Sequence, residues 1–214
     1  MAAVAGVVSI GAVGYALKRA NATLDEKAVP LLGVTGAFVF AAQMLNFPVA
    51  GGTSGHFLGA ALAAVLLGPW MACLVLAVVL TLQAFIFADG GIAALGANVF
   101  NMGVLGALAA GAILLAAQRV LPETRQAFLG TVAVASWLAV MLGAFGTALC
   151  LGLSGTVPFG TVLPAMLGVH ALIGIGEAVI TTVAVAAVLT TRPDLVGALR
   201  ATRARGFAPR PVEA

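Results

Sequence analysis

Residues 28–88 read AVPLLGVTGAFVFAAQMLNFPVAGGTSGHFLGAALAAVLLGPWMACLVLAVVLTLQAFIFA and contain no Asp, Glu, Lys or Arg. A membrane-spanning helix needs about 20 apolar residues, so this stretch is long enough to hold several spans. Lipid offers no hydrogen-bond partners to free backbone groups, and such spans must therefore be helical. The stretch predicts an all-α integral membrane protein.

The remainder of the chain has the same character, because 62% of its residues are hydrophobic and only 8% are charged. A soluble domain usually has about 25% charged residues. Seven apolar segments can be drawn, and the third is short, since its helix would measure only about 18 Å against a hydrocarbon core of about 30 Å. We expect that segment to be extended by the glycine-rich stretch before it, or to be re-entrant. The segments are 2–17, 28–46, 57–68, 70–88, 98–119, 127–153 and 161–190.

The basic residues predict the orientation, because Lys and Arg favour the cytoplasmic side of a membrane. They occur in the connections 18–27 and 119–126 and in the tail, whereas the connections 47–56, 89–97 and 154–160 have none. Seven membrane crossings place the connections with Lys or Arg on one side and those without on the other. With the basic side in the cytoplasm, this predicts an outer N-terminus and a cytoplasmic C-terminus. We expect one transmembrane domain over residues 1–191 and a short basic cytoplasmic tail over 192–214. The basic residues are Lys18, Arg19, Lys27, Arg119, Arg125, Arg192, Arg200, Arg203, Arg205 and Arg210.

In this topology the polar, glycine-rich connections all lie on the outer face. They are residues 46–56, 89–91 and 154–160, the first of which ends in Gly-Gly-Thr-Ser-Gly-His. Irregular backbone at membrane depth is tolerated where it is buried in protein or lines a cavity. The three connections therefore predict a binding site that faces outward.

His56 is the most informative residue of that face. Histidine is the commonest metal ligand, and a flexible loop can wrap its backbone around a small ligand. The alternative is a histidine at a helix start that is held by Thr53 or Ser54. The loop residues that would support a ligand role are Gly51, Gly52, Thr53, Ser54 and Gly55.

Five further polar residues are candidates for cavity or structural roles: Asp89, Asn98, Asn101, His170 and Glu177. Asn98 and Asn101 share a helix face and either line the outer cavity or clamp the loop that begins at Asp89, and we favour the clamp. His170 and Glu177 are seven apart on the last segment and also share a face. A carboxylate inside a span is a functional candidate, so Glu177 either relays a proton or holds a helix in place.

Several classes of protein are excluded by what the sequence lacks. It has no His-Glu-x-x-His, Gly-x-Ser-x-Gly or Cys-x-x-Cys motif and no phosphate-binding loop. We therefore expect no enzyme activity, no cofactor and no ATPase site. The net charge of +3 is small and gives no nucleic-acid signal. Cys73 and Cys150 lie in apolar runs and are interpreted as packing residues.

Three motifs resemble one known family. They are NFPVAGGTSGHFLGAALAAVLLGPW at 46–70, FADGGIAALGANVFNMG at 87–103 and MLGVHALIGIGEAVIT at 166–181. In this order they are similar to the nickel/cobalt substrate-binding subunits of energy-coupling-factor transporters. The resemblance covers about residues 18–194.

The resemblance implies a membrane subunit that captures Ni²⁺ or Co²⁺ outside the inner membrane of a bacterium or archaeon. It implies partners as well: a transmembrane coupling subunit, two ATPase subunits and often a small accessory membrane protein. His56 matches the family's metal-binding histidine. The family's other ligands are the terminal amine and the nitrogens of a histidine in second place.

The sequence departs from the family pattern at its start. It begins Met-Ala-Ala-Val and has no histidine before His56, and the first apolar segment looks clipped. We expect the natural start to lie upstream of Met1. Two other functions remain open at this point: a membrane scaffold or regulatory subunit that binds no metal, and a proton-coupled carrier that uses Glu177.

Overall fold

The computed structural model describes residues 1–24, 28–50 and 53–199. Each of the seven predicted segments contains a helix, and the chain is an all-α membrane protein with one small hairpin. The elements are α1 Ala2–Thr23, α2 Val29–Gln43, β1 Asn46–Val49, β2 Thr53–His56, α3 Ala60–Leu67, α4 Pro69–Ile86, α5 Leu95–Asn98, a π-helical segment Val99–Gly106, α6 Ala107–Val120, α7 Arg125–Leu153 and α8 Phe159–Thr191. Short 3₁₀ turns lie at Ile92–Ala94 and Pro193–Leu195.

Five helical stretches of the described chain are long and apolar enough to cross a membrane. The helix α2 is apolar but has only 15 residues, and α3 has eight. The count of seven crossings and the sides of the two termini stay predictions. The five stretches are Ala2–Ala22, Pro69–Ile86, Ile92–Val120, Arg125–Leu153 and Phe159–Thr191.

The first helix is longer than the sequence suggested. We placed its end at residue 17 because Lys18 and Arg19 follow, but α1 continues to Thr23 and has 22 residues. Its length of about 33 Å is sufficient for a membrane span, so the short length of 16 residues inferred from the sequence is wrong. Long basic side chains can reach polar surroundings from within a helix end. The pair Lys18 and Arg19 therefore did not have to end the helix.

The short helix α3 lies in the centre of the molecule. Every residue from Ala60 to Leu66 is buried, and the preceding connection forms the antiparallel hairpin β1–β2 rather than an irregular loop. Burial inside the protein explains how so short a helix and its extended approach exist at membrane depth. At its end Gly68, with φ 86°, turns the chain into Pro69 and α4.

The helices α7 and α8 form a long hairpin beside this centre. The Trp137 indole donates a hydrogen bond to the Ala171 carbonyl (3.2 Å), and Arg125 donates to the Ala186 carbonyl (3.2 Å). Large apolar side chains are exposed on the outside of the bundle, among them Ile10 and Leu172. In a membrane these exposed side chains face lipid.

The chain folds back onto the bundle after α8. Arg192 and Asp194 form an exposed ion pair (2.8 Å), which raises the pKa of the guanidinium through the hydrogen bond to the carboxylate. Val196 is completely buried and packs in a cluster with Leu62 and Val65 of α3. The start of the predicted basic tail therefore packs against the bundle, while its arginines from Arg200 onward lie outside the described residues.

Candidate metal site

His56 is the last residue of the hairpin. It pairs with Asn46 across the two strands, and its Nδ1 lies 2.8 Å from the carbonyl oxygen of Phe57. The position at the end of a strand rules out the alternative of a helix-start histidine. A carbonyl oxygen can only accept, so Nδ1 carries the proton and Nε2 keeps a free lone pair. That is the tautomer of a histidine whose Nε2 can bind a metal.

The hairpin borders a cavity of about 780 Å³ whose wall has both polar and apolar side chains. All three polar connections contribute to its wall, as expected if they lie on one face of the bundle. That this face is the outer one stays a prediction. Both histidines of the chain line it, and so does Ala2 at the start of α1. The lining residues are Ala2, Thr53, Ser54, His56, Leu58, Asp89, Gly90, Ala93, Ala94, Ala97, Asn98, Asn101, Met102, Gly143, Ala144, Thr147, Cys150, Leu151, Ser154, Thr156, Met166 and His170.

His170 enters this cavity from the middle of α8. The side chain is 4% exposed, and its Nδ1 donates to the Met166 carbonyl one turn earlier (2.8 Å). The edge of the ring lies against Gly55, where an added Cβ would be 3.0 Å from Cε1 and 3.2 Å from Nε2. His170 and Glu177 are both buried residues of α8, as their spacing predicts, and of the two only His170 lines the cavity together with His56.

Glu177 holds the backbone behind His56 and does not line the cavity. Its fully buried carboxylate accepts the N–H groups of Leu58 (2.7 Å) and Gly59 (3.0 Å). The buried amide of Gln43 donates to the Leu58 carbonyl (2.7 Å) from the opposite side. Both backbone polar groups of Leu58 are thus bound by side chains, and the start of α3 is fixed. Of the two roles considered for Glu177, these contacts match the one that holds a helix in place.

The two asparagines form another wall of the cavity. Asn98 donates to the Gly90 carbonyl (3.1 Å), which clamps the loop that begins at Asp89. Asn101 is buried and its amide lies 3.3 Å from the Thr147 hydroxyl. Asn98 therefore has both roles considered for it. Asn101 lies in the π-helical segment, a feature that is frequent at functional sites and that the sequence did not predict.

Some expectations for the site changed with the structure. Gly51 and Gly52 lie outside the described residues, whereas Thr53, Ser54 and Gly55 form the hairpin edge of the cavity. Cys73 is a buried packing residue, but Cys150 is half-buried and lines the cavity. Gln43 was missed, although a polar residue at the end of a charge-free helix was an available signal. Within the described ranges, no three His, Cys, Asp or Glu side chains form a cluster able to hold a metal ion.

The fold and the cavity define a polytopic helical membrane protein in which nitrogen and oxygen donors from distant parts of the sequence meet at one end of the bundle. The chain belongs to the CbiM family, described as the cobalt uptake substrate-specific transmembrane region, whose model matches residues 1–195. Family membership accounts for the three motifs described above.

Individual relatives agree with this assignment. A cobalt transport protein CbiM of Sorangium cellulosum is 35% identical and covers 90% of this chain and 87% of its own length. A fused nickel transport protein NikMN of Rhodobacter capsulatus is 35% identical over 88% of this chain. The chain spans less than two thirds of the length of two fused nickel transport proteins that it matches. It spans 62% of the one from Archaeoglobus fulgidus and 58% of the one from Rhodobacter capsulatus.

A crystal structure of a transition metal transporter has the same fold. It superimposes with a TM-score of 0.83 at 32% identity and covers 96% of this chain and 95% of that chain. A likeness at this level over nearly both chains extends the assignment from sequence to the arrangement of the helices.

Proposed function

We propose that this chain is the substrate-capture subunit of an uptake system for Ni²⁺ or Co²⁺. The observation that carries the proposal is His56, with its Nε2 lone pair free, in a cavity to which all three polar connections contribute. Nitrogen donors suit both cations, and affinity alone favours Ni²⁺ only slightly. The related proteins are named as nickel and cobalt transport proteins.

The position of Ala2 supports a contribution from the N-terminus. Ala2 lines the same cavity as His56, and the family resemblance implies nitrogen ligands from the second residue. Donors at that point of α1 have access to the space in front of the hairpin. We propose that a histidine there would complete the site together with His56.

Transport in this proposal depends on partners. The described chain consists of membrane helices and one small hairpin, and the sequence has no phosphate-binding loop. The family resemblance implies that uptake is driven by ATP hydrolysis on two ATPase subunits that act through a transmembrane coupling subunit, often with a small accessory membrane protein, and we propose the same for this chain. The proposed orientation has seven crossings, with the cavity outside and the C-terminus in the cytoplasm.

Two alternatives receive less support. A proton-coupled carrier would need Glu177 to exchange protons with a pathway, but both carboxylate oxygens accept backbone N–H groups and the side chain is fully buried. A scaffold that binds no metal would not need both histidines of the chain in one cavity.

Titration calorimetry with Ni²⁺ and Co²⁺ on the purified chain tests the proposal. His56→Ala removes the ring, whereas His56→Asn can keep a donor to the Phe57 carbonyl and removes only Nε2. Both variants should weaken metal binding by more than the roughly 10–100-fold that is typical when a group that only orients a metal ligand is replaced. Binding that survives in the Asn variant but not in the Ala variant would mean that His56 supports the hairpin and does not bind metal.

A further inference from the structure

The two histidines of the chain share a feature beyond their place in one cavity. In each ring Nδ1 donates to a backbone carbonyl at 2.8 Å, that of Phe57 for His56 and that of Met166 for His170. Each ring is therefore held in the tautomer with a bare Nε2. Histidines that bind metal through one nitrogen commonly donate the other N–H in this way.

The Nε2 atom of His170 is free to bind a ligand from the cavity. Across residues 1–24, 28–50 and 53–199 neither Nε2 takes part in a hydrogen bond. His170 lines the cavity, and its Nε2 is not among the fully buried polar atoms without a partner in this part of the chain, so its lone pair is open to the cavity. A cation in the cavity would supply a partner for it.

The hairpin and α8 meet next to the ring of His170. An added Cβ at Gly55, one residue before His56, would lie 2.8 Å from Cδ1 of Ile173 and 3.0 Å from Cε1 of His170. Gly55 is therefore the point at which the hairpin packs closely against α8. Both histidines line the cavity beside this junction.

We propose that Nε2 of His170 is a second imidazole ligand for the divalent transition metal ion that His56 binds. The proposal rests on the proposed function, since it adds a donor to the same site. Two imidazoles suit Ni²⁺, Co²⁺ and Cu²⁺. The remaining ligands would come from the oxygen and nitrogen atoms that line the cavity.

Pulsed electron paramagnetic resonance with Cu²⁺ as the probe tests this directly, because the echo modulation counts the imidazoles bound to the metal. The chain contains two histidines, so the protein is purified without a histidine tag and every imidazole counted belongs to the site. The wild-type chain should show two. His170→Asn, whose amide can still donate to the Met166 carbonyl, and His56→Asn should each show one.

Ni²⁺ calorimetry on the same variants gives the second readout. His170→Asn should weaken binding by at least about 10-fold, with thermal unfolding in detergent as a check that the bundle is intact. Bound Cu²⁺ with one imidazole in the wild type would overturn this inference and leave the proposed function standing. A wild-type chain that binds neither Cu²⁺ nor Ni²⁺ would overturn both.

Discussion

Replacement of Glu177 tests whether one carboxylate fixes the backbone behind His56. In Glu177→Ala the N–H groups of Leu58 and Gly59 lose their acceptor at a position that is fully buried. Each buried donor left unsatisfied costs about 1–3 kcal/mol. The expected loss of stability is therefore about 2–6 kcal/mol before any cost of the cavity that is left.

The conservative variant separates the two bonds. Gln has one acceptor oxygen, so Glu177→Gln can keep the bond to Leu58 or the bond to Gly59 but not both. Its expected cost is about 1–3 kcal/mol. For a protein of this size each kcal/mol corresponds to about 2–4 °C in Tm. The Tm should therefore fall in the order wild type, Glu177→Gln, Glu177→Ala.

The chain supplies its own probe for this measurement. Cys73 is a free thiol that is completely buried, and Cys150 is the other free thiol. A dye that becomes fluorescent on reaction with thiols would report unfolding through Cys73 in a Cys150→Ser background. Glu177→Ala should lower the midpoint by roughly 10 °C.

The same variants should also affect the site. A loosened start of α3 leaves His56 less well positioned, so Ni²⁺ binding should weaken in the order in which stability falls. A Glu177→Ala variant with an unchanged midpoint and unchanged Ni²⁺ affinity would refute the clamp. Weaker binding at an unchanged midpoint would point instead to a charge effect of the carboxylate.

Three more predictions follow from particular residues. Gly96→Ala should destabilise the chain by about 1–3 kcal/mol, because its Cβ would lie 2.6 Å from the Gly6 Cα. The control Gly6→Ala, whose Cβ would have its nearest neighbour at 3.8 Å, should be tolerated. Equal unfolding midpoints of the two variants in the thiol assay would contradict this. Ala2→His should tighten Ni²⁺ binding by at least about 10-fold, and calorimetry should show no such gain in the double variant with His56→Asn. A reporter inserted at Gly155 should be accessible from outside the cell, and labelling only from the cytoplasm would contradict the proposed orientation.

Much of the fold was predictable because lipid constrains a sequence more strongly than water does. The charge-free stretch requires helices, and every predicted segment contains one. The ends were harder, as α1 shows, because Lys18 and Arg19 extend from the helix rather than end it. The hairpin was also missed. Its strands are four residues each, too short for a pattern of alternation.

Half of the site could be found in the same way. His56 and Asn98 were identifiable because a polar residue beside a charge-free span must have a reason to be there. That His170 and His56 line one cavity was not predictable, because it depends on how α8 packs against the hairpin. Gln43 and Glu177 meet at Leu58 for the same reason, since they come from α2 and α8. Sequence spacing relates residues within one helix, and these contacts join different elements.

The position of His170 and Glu177 on one helix gives the site a mechanical property. His170 contacts the hairpin at Gly55, and Glu177, two turns further along α8, binds the backbone at Leu58 and Gly59. The segment that carries His56 is therefore held to α8 at a point on each side of the histidine. Any shift of α8 relative to α3 would change both contacts together, so a movement of α8 within the membrane would alter the place of His56 in the cavity. The proposed metal site and the packing of the last helix are thus parts of one arrangement.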